Sequence, residues 1–257
     1  MQSIKNKITL ITGASSGIGE ACARLFAANG AKLILCARRE ERIKQLASEL
    51  ENVYETDCLI LPLDVRRKDE VIQTLGSLPS NWQNIDILIN NAGLALSSDP
   101  VQHGSFENWD TMIDTNVKGL LYVSKCILPG MINRNRGHIV NIGSIAGQEC
   151  YPAGNVYCAS KHAVRAISKS MRLDLLGTPI RVTEIAPGAV ETEFSEVRWG
   201  DKSKAKAFYQ DFAPLLAEDI ADAIYYCTTR PLHVDVTEMT ILPTAQASAN
   251  HIHRGGK

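Results

Sequence analysis

Seven short runs of apolar and β-branched residues, spaced by stretches of helical length, constrain this chain more than any other feature. The runs are ITLIT (8–12), KLILCA (32–37), CLILPLDV (58–65), IDILIN (85–90), GHIVNIG (137–143), IRVTEIAP (180–187) and EMTILP (238–243). They are continuously apolar rather than alternating, as expected of strands covered on both faces. Stretches of helical length fall between them at 17–29, 39–51, 67–78, 106–133 and 155–176. Strand, helix, strand repeated in this way predicts an α/β fold: an open parallel sheet with helices on both faces.

No Pro/Ser/Gly-rich linker, repeat or low-complexity tract divides the sequence, so one domain over 1–257 is expected. Residues 189–217 are polar, lack strand signals and interrupt the alternation. Such an excursion reads as a lid, or as an extra pair of surface helices. The polar segment 247–257 ends in HIHRGGK and is expected to be disordered; its two histidines have no third ligand in sight, so no metal site is expected.

Lys plus Arg number 27 and Asp plus Glu 28, a net charge of −1, which argues against a nucleic-acid partner. The seven cysteines, Cys22, Cys36, Cys58, Cys126, Cys150, Cys158 and Cys227, are scattered with no C-x-x-C pair. That pattern favours neither disulfides nor zinc and suits a reducing compartment. The N-terminal apolar run is about five residues, too short for a signal or a membrane span. The expectation is a cytoplasmic protein with no membrane partner.

The first run ends in Thr12, Gly13, Ala14, Ser15, Ser16, Gly17, Ile18 and Gly19, and a helical stretch follows. Gly13 permits a tight turn, Gly17 allows close approach of a pyrophosphate, and Gly19 lets the helix pack on the strand. The unpaired N–H groups and dipole of the helix start favour phosphate. After the second run, where an acidic residue would grip a ribose 2′-hydroxyl, stand Ala37, Arg38 and Arg39. Guanidinium forks match a 2′-phosphate, so NADP(H) is the cofactor implied.

Tyr157 and Lys161 lie four residues apart, on one face of a helix. A phenol ordinarily titrates near ~10, and an adjacent ammonium favours its phenolate. A phenol so tuned can pass protons near neutrality. Ser144, just after HIVNIG, can hold a substrate oxygen, and Asn116 in DTNVKG can order water beside Lys161. REERIKQLASELE reads as a solvated helix face. Trp82, Trp109 and Trp199 are too dispersed for a stacking platform; Trp109 is expected to pack a helix and Trp199 to line the pocket.

Taken together, TGASSGIG (12–19), LDV (63–65), NNAG (90–93), the Asn of NVKG (116–119), Ser144, YCASK (157–161) and PGAVET (187–192) resemble the short-chain dehydrogenase/reductase family, in its classical subgroup, over nearly the whole chain. The resemblance implies a single Rossmann domain with a doubly wound, seven-stranded parallel sheet, and a homodimer or homotetramer. It implies Tyr157 as general acid/base, Lys161 as the group that lowers its pKa and binds the nicotinamide ribose, Ser144 on the reacting oxygen, and Asn116 anchoring a water chain. Asp64 and Val65 would meet the adenine, and Asn90, Asn91, Ala92 and Gly93 would support the adenosine. Pro187, Gly188, Val190 and Thr192 would contact the nicotinamide amide. The chain departs from many NADP-binding members in having Ser16 where they carry a basic residue.

Within the family, CARREERI (36–43), APGAVETEFSEVRW (186–199) and VTEMTILPTAQ (236–246) resemble NADP-dependent dehydrogenases of small 3-hydroxy acids such as L-serine and L-allo-threonine. A small carboxylate substrate needs a cation near the lid, and Arg198 is the candidate; the alternative is an exposed lid charge. Other readings are a 3-oxoacyl-carrier-protein, steroid or sugar-alcohol reductase, or an NADP-sensing regulator without chemistry. The complete Asn, Ser, Tyr, Lys set argues against the last.

Overall fold

In the computed structural model, which describes residues 2–255, all seven apolar runs become strands of one sheet. The strands are β1 (Ile8–Thr12), β2 (Lys32–Ala37), β3 (Cys58–Pro62), β4 (Ile85–Asn90), β5 (Gly137–Ile142), β6 (Ile180–Pro187) and β7 (Glu238–Ile241). Their order is β3-β2-β1-β4-β5-β6-β7, and every pairing is parallel. The chain winds outward from β1 to β3, returns to β4 and winds the other way. That reversal opens a crevice beyond the carboxyl ends of β1 and β4.

The helices are α1 (Gly17–Ala28), α2 (Glu40–Tyr54), α3 (Lys68–Gly76), α4 (Phe106–Ile113), α5 (Leu120–Asn133), α6 (Asn155–Asp174), α7 (Glu193–Trp199), α8 (Lys202–Phe208) and α9 (Ala217–Thr228). Leu33, Leu35, Ile87, Ile89, Val140 and Ile185 pack on one side with Phe26, Leu46 and Ile224 of α1, α2 and α9. On the other side Leu10, Ile34, Leu88, Ile139 and Val182 pack with Val71, Met131 and Val164 of α3, α5 and α6. Each such side chain contributes roughly 1.5–3 kcal/mol of burial, so residues of opposite parity on the strands are equally committed to apolar layers.

Four polar residues cross the sheet in register beneath α5 and α6, one per strand: Asn90, Asn141, Glu184 and Glu238. Asn90 donates to Ser124 and to the Asn141 oxygen, both at 2.9 Å, and Asn141 donates to Ser168 at 2.9 Å. Glu238 pairs with Arg165, Lys169 and Arg172 of α6 at 3.1, 3.3 and 3.7 Å. Among the described residues neither oxygen of Glu184 has a hydrogen-bond partner.

Three expectations need correction. The third strand stops at Pro62: the Leu63 amide still donates to the Ala37 carbonyl of β2 at 3.1 Å, and the chain then turns, with Arg67 N–H bonded to the Asp64 carbonyl at 3.0 Å. The stretch 106–133 is not one α-helix: Asp114–Gly119 forms a π turn between α4 and α5, a widening frequent at functional sites. The C-terminal segment is ordered through residue 255. Ala247 N–H bonds the His251 carbonyl at 2.9 Å, and Arg254 donates to the Phe208 and Gln210 carbonyls at 2.9 Å each.

The excursion 189–217 folds as a pair of helices, and residues from it line the crevice. α7 ends at Gly200 in the left-handed region (φ +60°), Asp201 caps α8, and a parallel bridge between Val190 and Leu215 closes the stem. All seven cysteines are unpaired. Among the described residues no helix is long and apolar enough to cross a membrane, and no group of three or more His, Cys, Asp or Glu is placed to hold a metal ion.

Candidate active site

The crevice, about 650 Å³, runs from Arg38 at one end to Trp199 and Arg254 at the other. Its floor is the glycine loop. Gly13 (φ +67°) and Gly17 (φ +54°) take left-handed backbone that an L side chain rarely adopts, and a Cβ at Gly17 would press on Thr192 at 3.2 Å. Ser16 is extended and its side chain does not cap α1, so the first amides of α1 remain for an anion. Gly19 is not on the crevice surface: it backs onto the Gly13 carbonyl, where no Cβ would fit. Thr12 Oγ1 accepts from the Asn91 and Ala92 amides at 3.0 and 2.9 Å, which fastens the NNAG loop to β1.

At the Arg38 end the loop hydroxyls are already engaged. Arg39 donates through Nε to Ser15 at 3.0 Å and through Nη2 to Ser16 at 2.6 Å. Its Nη1 meets Glu193 of α7 at 2.7 Å, and Arg42 meets the same carboxylate at 2.6 Å. The Ser16 departure is thus offset by a guanidinium reaching in from the end of β2. Asp64 lines the crevice beside Val65. Burial pushes its carboxyl up, but the Arg66 guanidinium at 2.6 Å outweighs this and holds it below the usual range.

Tyr157, Lys161 and Ser144 line one wall. The Ser144 hydroxyl caps a short turn at the end of β5, accepting from the Ala146 amide at 3.1 Å. Lys161 is buried, and its Nζ lies 5.9 Å from the Tyr157 ring centre and donates to the Ile142 carbonyl at 2.8 Å. Burial lowers the Lys161 ammonium to about 8, partly opposed by the Glu184 charge. Burial, with Tyr151 adding to it, pushes Tyr157 above its ordinary range, and the groups drawing it back are the Ser144 hydroxyl and the Arg198 guanidinium.

Asn116 is buried and is not among the residues lining the crevice. Its oxygen accepts from the Leu94 amide at 2.8 Å, and its amide donates to the Leu94 carbonyl at 2.8 Å and to Ser160 at 3.0 Å. Both amide hydrogens are therefore used in clamping the loop after β4 to α6. Asn90 likewise sits in the polar row rather than in the crevice, whereas Asn91, Ala92, Gly93, Pro187, Gly188, Val190 and Thr192 line it with Gly13, Ser15, Ser16, Gly17 and Ile18.

Residues of the excursion 189–217 line the crevice as well. The Arg198 guanidinium carbon lies 5.8 Å from the Tyr157 ring centre, 5.4 Å from that of Tyr151 and 5.6 Å from that of Trp199. Its Nε donates to Ser98 at 3.2 Å, and Trp199 donates to the same hydroxyl at 2.9 Å. Among the described residues no carboxylate pairs with Arg198, so its charge faces the crevice. Phe194 tilts against Tyr157 at 5.7 Å. Tyr151, Phe194, Phe208, Tyr209, Gln246 and Arg254 line the site without having been expected there. The available signal was five aromatic residues between 194 and 212, in a segment read only as polar.

A profile of the short chain dehydrogenase family matches residues 7–203. The chain is a short-chain dehydrogenase. It is thus an oxidoreductase scaffold. It is 48% identical over 251 residues to an NADP-dependent 3-hydroxy acid dehydrogenase of Shigella flexneri, covering 96% of this chain and 99% of that one. It is 47% identical over 242 residues to sulfoacetaldehyde reductase 2 of Chromohalobacter salexigens, covering 93% and 95%. Among solved structures, the closed form of a serine dehydrogenase complexed with NADP+ superposes with a TM-score of 0.89 at 46% identity, covering 96% of this chain and all of that one.

Proposed function

We propose that this enzyme transfers hydride reversibly between NADP(H) and a small 3-hydroxy or 3-oxo acid, with L-serine, L-allo-threonine and 3-hydroxypropionate as representative substrates. The observation that carries this reading is the Arg198 guanidinium, unpaired with any described carboxylate and 5.8 Å from the Tyr157 ring. A substrate whose hydroxyl meets Tyr157 and Ser144 then has a cation in reach for its carboxylate. The similarity to the 3-hydroxy acid dehydrogenase and to the serine dehydrogenase named above supports the same substrate class.

The residues present fit NADP(H). The glycine loop and uncapped start of α1 would take the pyrophosphate, Arg38 and Arg39 the 2′-phosphate, Asp64 and Val65 the adenine, and Lys161 the nicotinamide ribose. Bound NADP+ supplies the hydride acceptor. Ser144 orients the substrate hydroxyl, Tyr157 accepts its proton as a phenolate, a form favoured by the Lys161 ammonium and by the positive ring of the oxidised nicotinamide when bound, and Arg198 fixes the carboxylate. The net change is 3-hydroxy acid plus NADP+ to 3-oxo acid plus NADPH plus a proton. A 2-amino-3-oxo acid product then loses CO2 without further help from the protein.

We also infer a homotetramer or homodimer, and residence in the cytoplasm. Phe106, Leu121, Leu173 and Leu176 are exposed on α4, α5 and just beyond α6, apolar surface that a second copy would cover. Seven unpaired cysteines suit a reducing compartment.

The test is nicotinamide absorbance with serine, allo-threonine, 3-hydroxybutyrate, 3-hydroxypropionate, sugars and sterols, each with NADP+ and NAD+. Turnover of the hydroxy acids with NADP+ supports the proposal. Turnover confined to neutral alcohols, or none with any of them, overturns it.

A further inference from the structure

We propose that Glu184, a residue outside the crevice, is a positioning residue for the reaction: it holds the peptide unit that precedes Ser144 and supplies the counter-charge for Lys161. The inference rests on the proposed hydride-transfer reading and deepens it.

Glu184 lies near the middle of β6 and is 1% exposed, yet neither carboxylate oxygen has a partner among the described residues. A buried carboxylate without hydrogen bonds is costly, so it persists where neighbouring charge compensates it. Its place is defined by Gly143. A Cβ on Gly143 would collide with Glu184 Oε1, so the carboxyl rests directly on that α-carbon. One residue earlier, the Ile142 carbonyl accepts the Lys161 ammonium at 2.8 Å. Lys161 thus hydrogen-bonds one end of the Ile142–Gly143 peptide unit, whose amide donates to the Ile185 carbonyl at 2.7 Å, and Glu184 packs against its other end, with Ser144 the next residue along.

The charges around the pair divide in a definite way. On the sheet, Glu238 of β7 is the carboxylate beside Glu184. On α6, Lys161, Arg165, Lys169 and Arg172 follow one another at helical spacing. Arg165, Lys169 and Arg172 are all engaged by Glu238. Lys161 is the cation of that row that no carboxylate pairs, Glu184 is the carboxylate that no cation pairs, and Arg165, whose Nε has no acceptor among the described residues, also acts on Glu184. Each pulls on the other as expected: burial lowers Lys161 while Glu184 raises it, and burial and Glu238 raise Glu184 while Arg165, Lys161 and Arg172 lower it. Without Glu184, Lys161 would stay charged over a narrower range of pH.

The test uses the full chain with Glu184→Gln, Glu184→Asp and Lys161→Met. The alkaline limb of the kcat/KM profile, where Lys161 loses its proton, is expected to move down by about one pH unit in Glu184→Gln and to stay near the wild-type position in Glu184→Asp, which keeps the charge. Lys161→Met separates the two levels of the argument. If it keeps wild-type turnover, the assigned chemistry fails and the role of Glu184 with it. If it abolishes turnover while Glu184→Gln leaves the alkaline limb unmoved, the role of Glu184 alone is overturned. A second measurement needs no substitution at 184. In protein labelled with carbon-13 at glutamate carboxyls, one buried glutamate is expected to titrate at higher pH in Lys161→Met than in wild type. Coincident titration of every glutamate in the two proteins overturns the proposal.

Discussion

The Arg39 guanidinium meets the Glu193 carboxylate at 2.7 Å, and this one contact joins the end of β2 to the first turn of α7. Arg39 holds Ser15 and Ser16 at the same time. The arginine that would take the 2′-phosphate is thus shared with the lid, and an anion arriving there competes with Glu193. Glu193→Gln is expected to tighten NADP+ binding a few-fold, with the gain fading at high salt because the groups are exposed. Arg39→Asp is expected to weaken it by about tenfold or more, the worth of a charged hydrogen bond. Titration calorimetry at two salt concentrations measures both, and equal affinities in the three proteins would remove Arg39 from the cofactor site.

Tyr157→Phe deletes the proton-carrying oxygen and keeps the ring that packs on Phe194. Loss of kcat/KM by about 10²–10⁴ is expected, the usual worth of a positioned acid/base. Cofactor affinity, followed by fluorescence quenching, should change little. Turnover within a few-fold of wild type would move the acid/base role to another group.

The buried Lys161 ammonium titrates at about 8 rather than at its ordinary 10.5. Its folded pKa is depressed, so between those values the unfolded chain binds more protons and stability from this group rises with pH. Below about pH 8 the buried charge costs up to about 3 kcal/mol. Lys161→Met is therefore expected to raise the unfolding midpoint at pH 7 while abolishing turnover, with the gain shrinking toward pH 10. Calorimetry that found the variant less stable at pH 7 would contradict this account of the site.

Arg198→Met tests the anion end of the crevice. The KM for a 3-hydroxy acid is expected to rise by about 10–100-fold, the cost of removing one charged partner, while the KM for a neutral secondary alcohol stays near its wild-type value. An equal change for both would reduce Arg198 to a packing residue of the lid.

The strands were legible because both their faces are buried, which leaves continuous apolar runs. β3 ended early because Leu63 and Val65 are apolar for another reason: Leu63 is buried in the core just past the strand, and Val65 lies against Gly119 at the turn. The π turn at Asp114–Gly119 was hidden, since its residues keep helical spacing on either side. In the site, the glycine loop and the Tyr157–Lys161 pair are local in sequence and could be read directly. The clamp that the Asn116 side chain forms could not, because its partners Leu94 and Ser160 are 22 and 44 residues away. Glu184 was concealed inside an apolar run, where its meaning depends on Gly143 at the end of the neighbouring strand.

The anchoring of Arg254 on the last turn of α8 has a practical consequence. Progressive trimming by a carboxypeptidase should register in substrate affinity well before it registers in thermal melting. The Arg254 hydrogen bonds to the Phe208 and Gln210 carbonyls, over the crevice, would be the first to go, while the seven-stranded sheet stays intact.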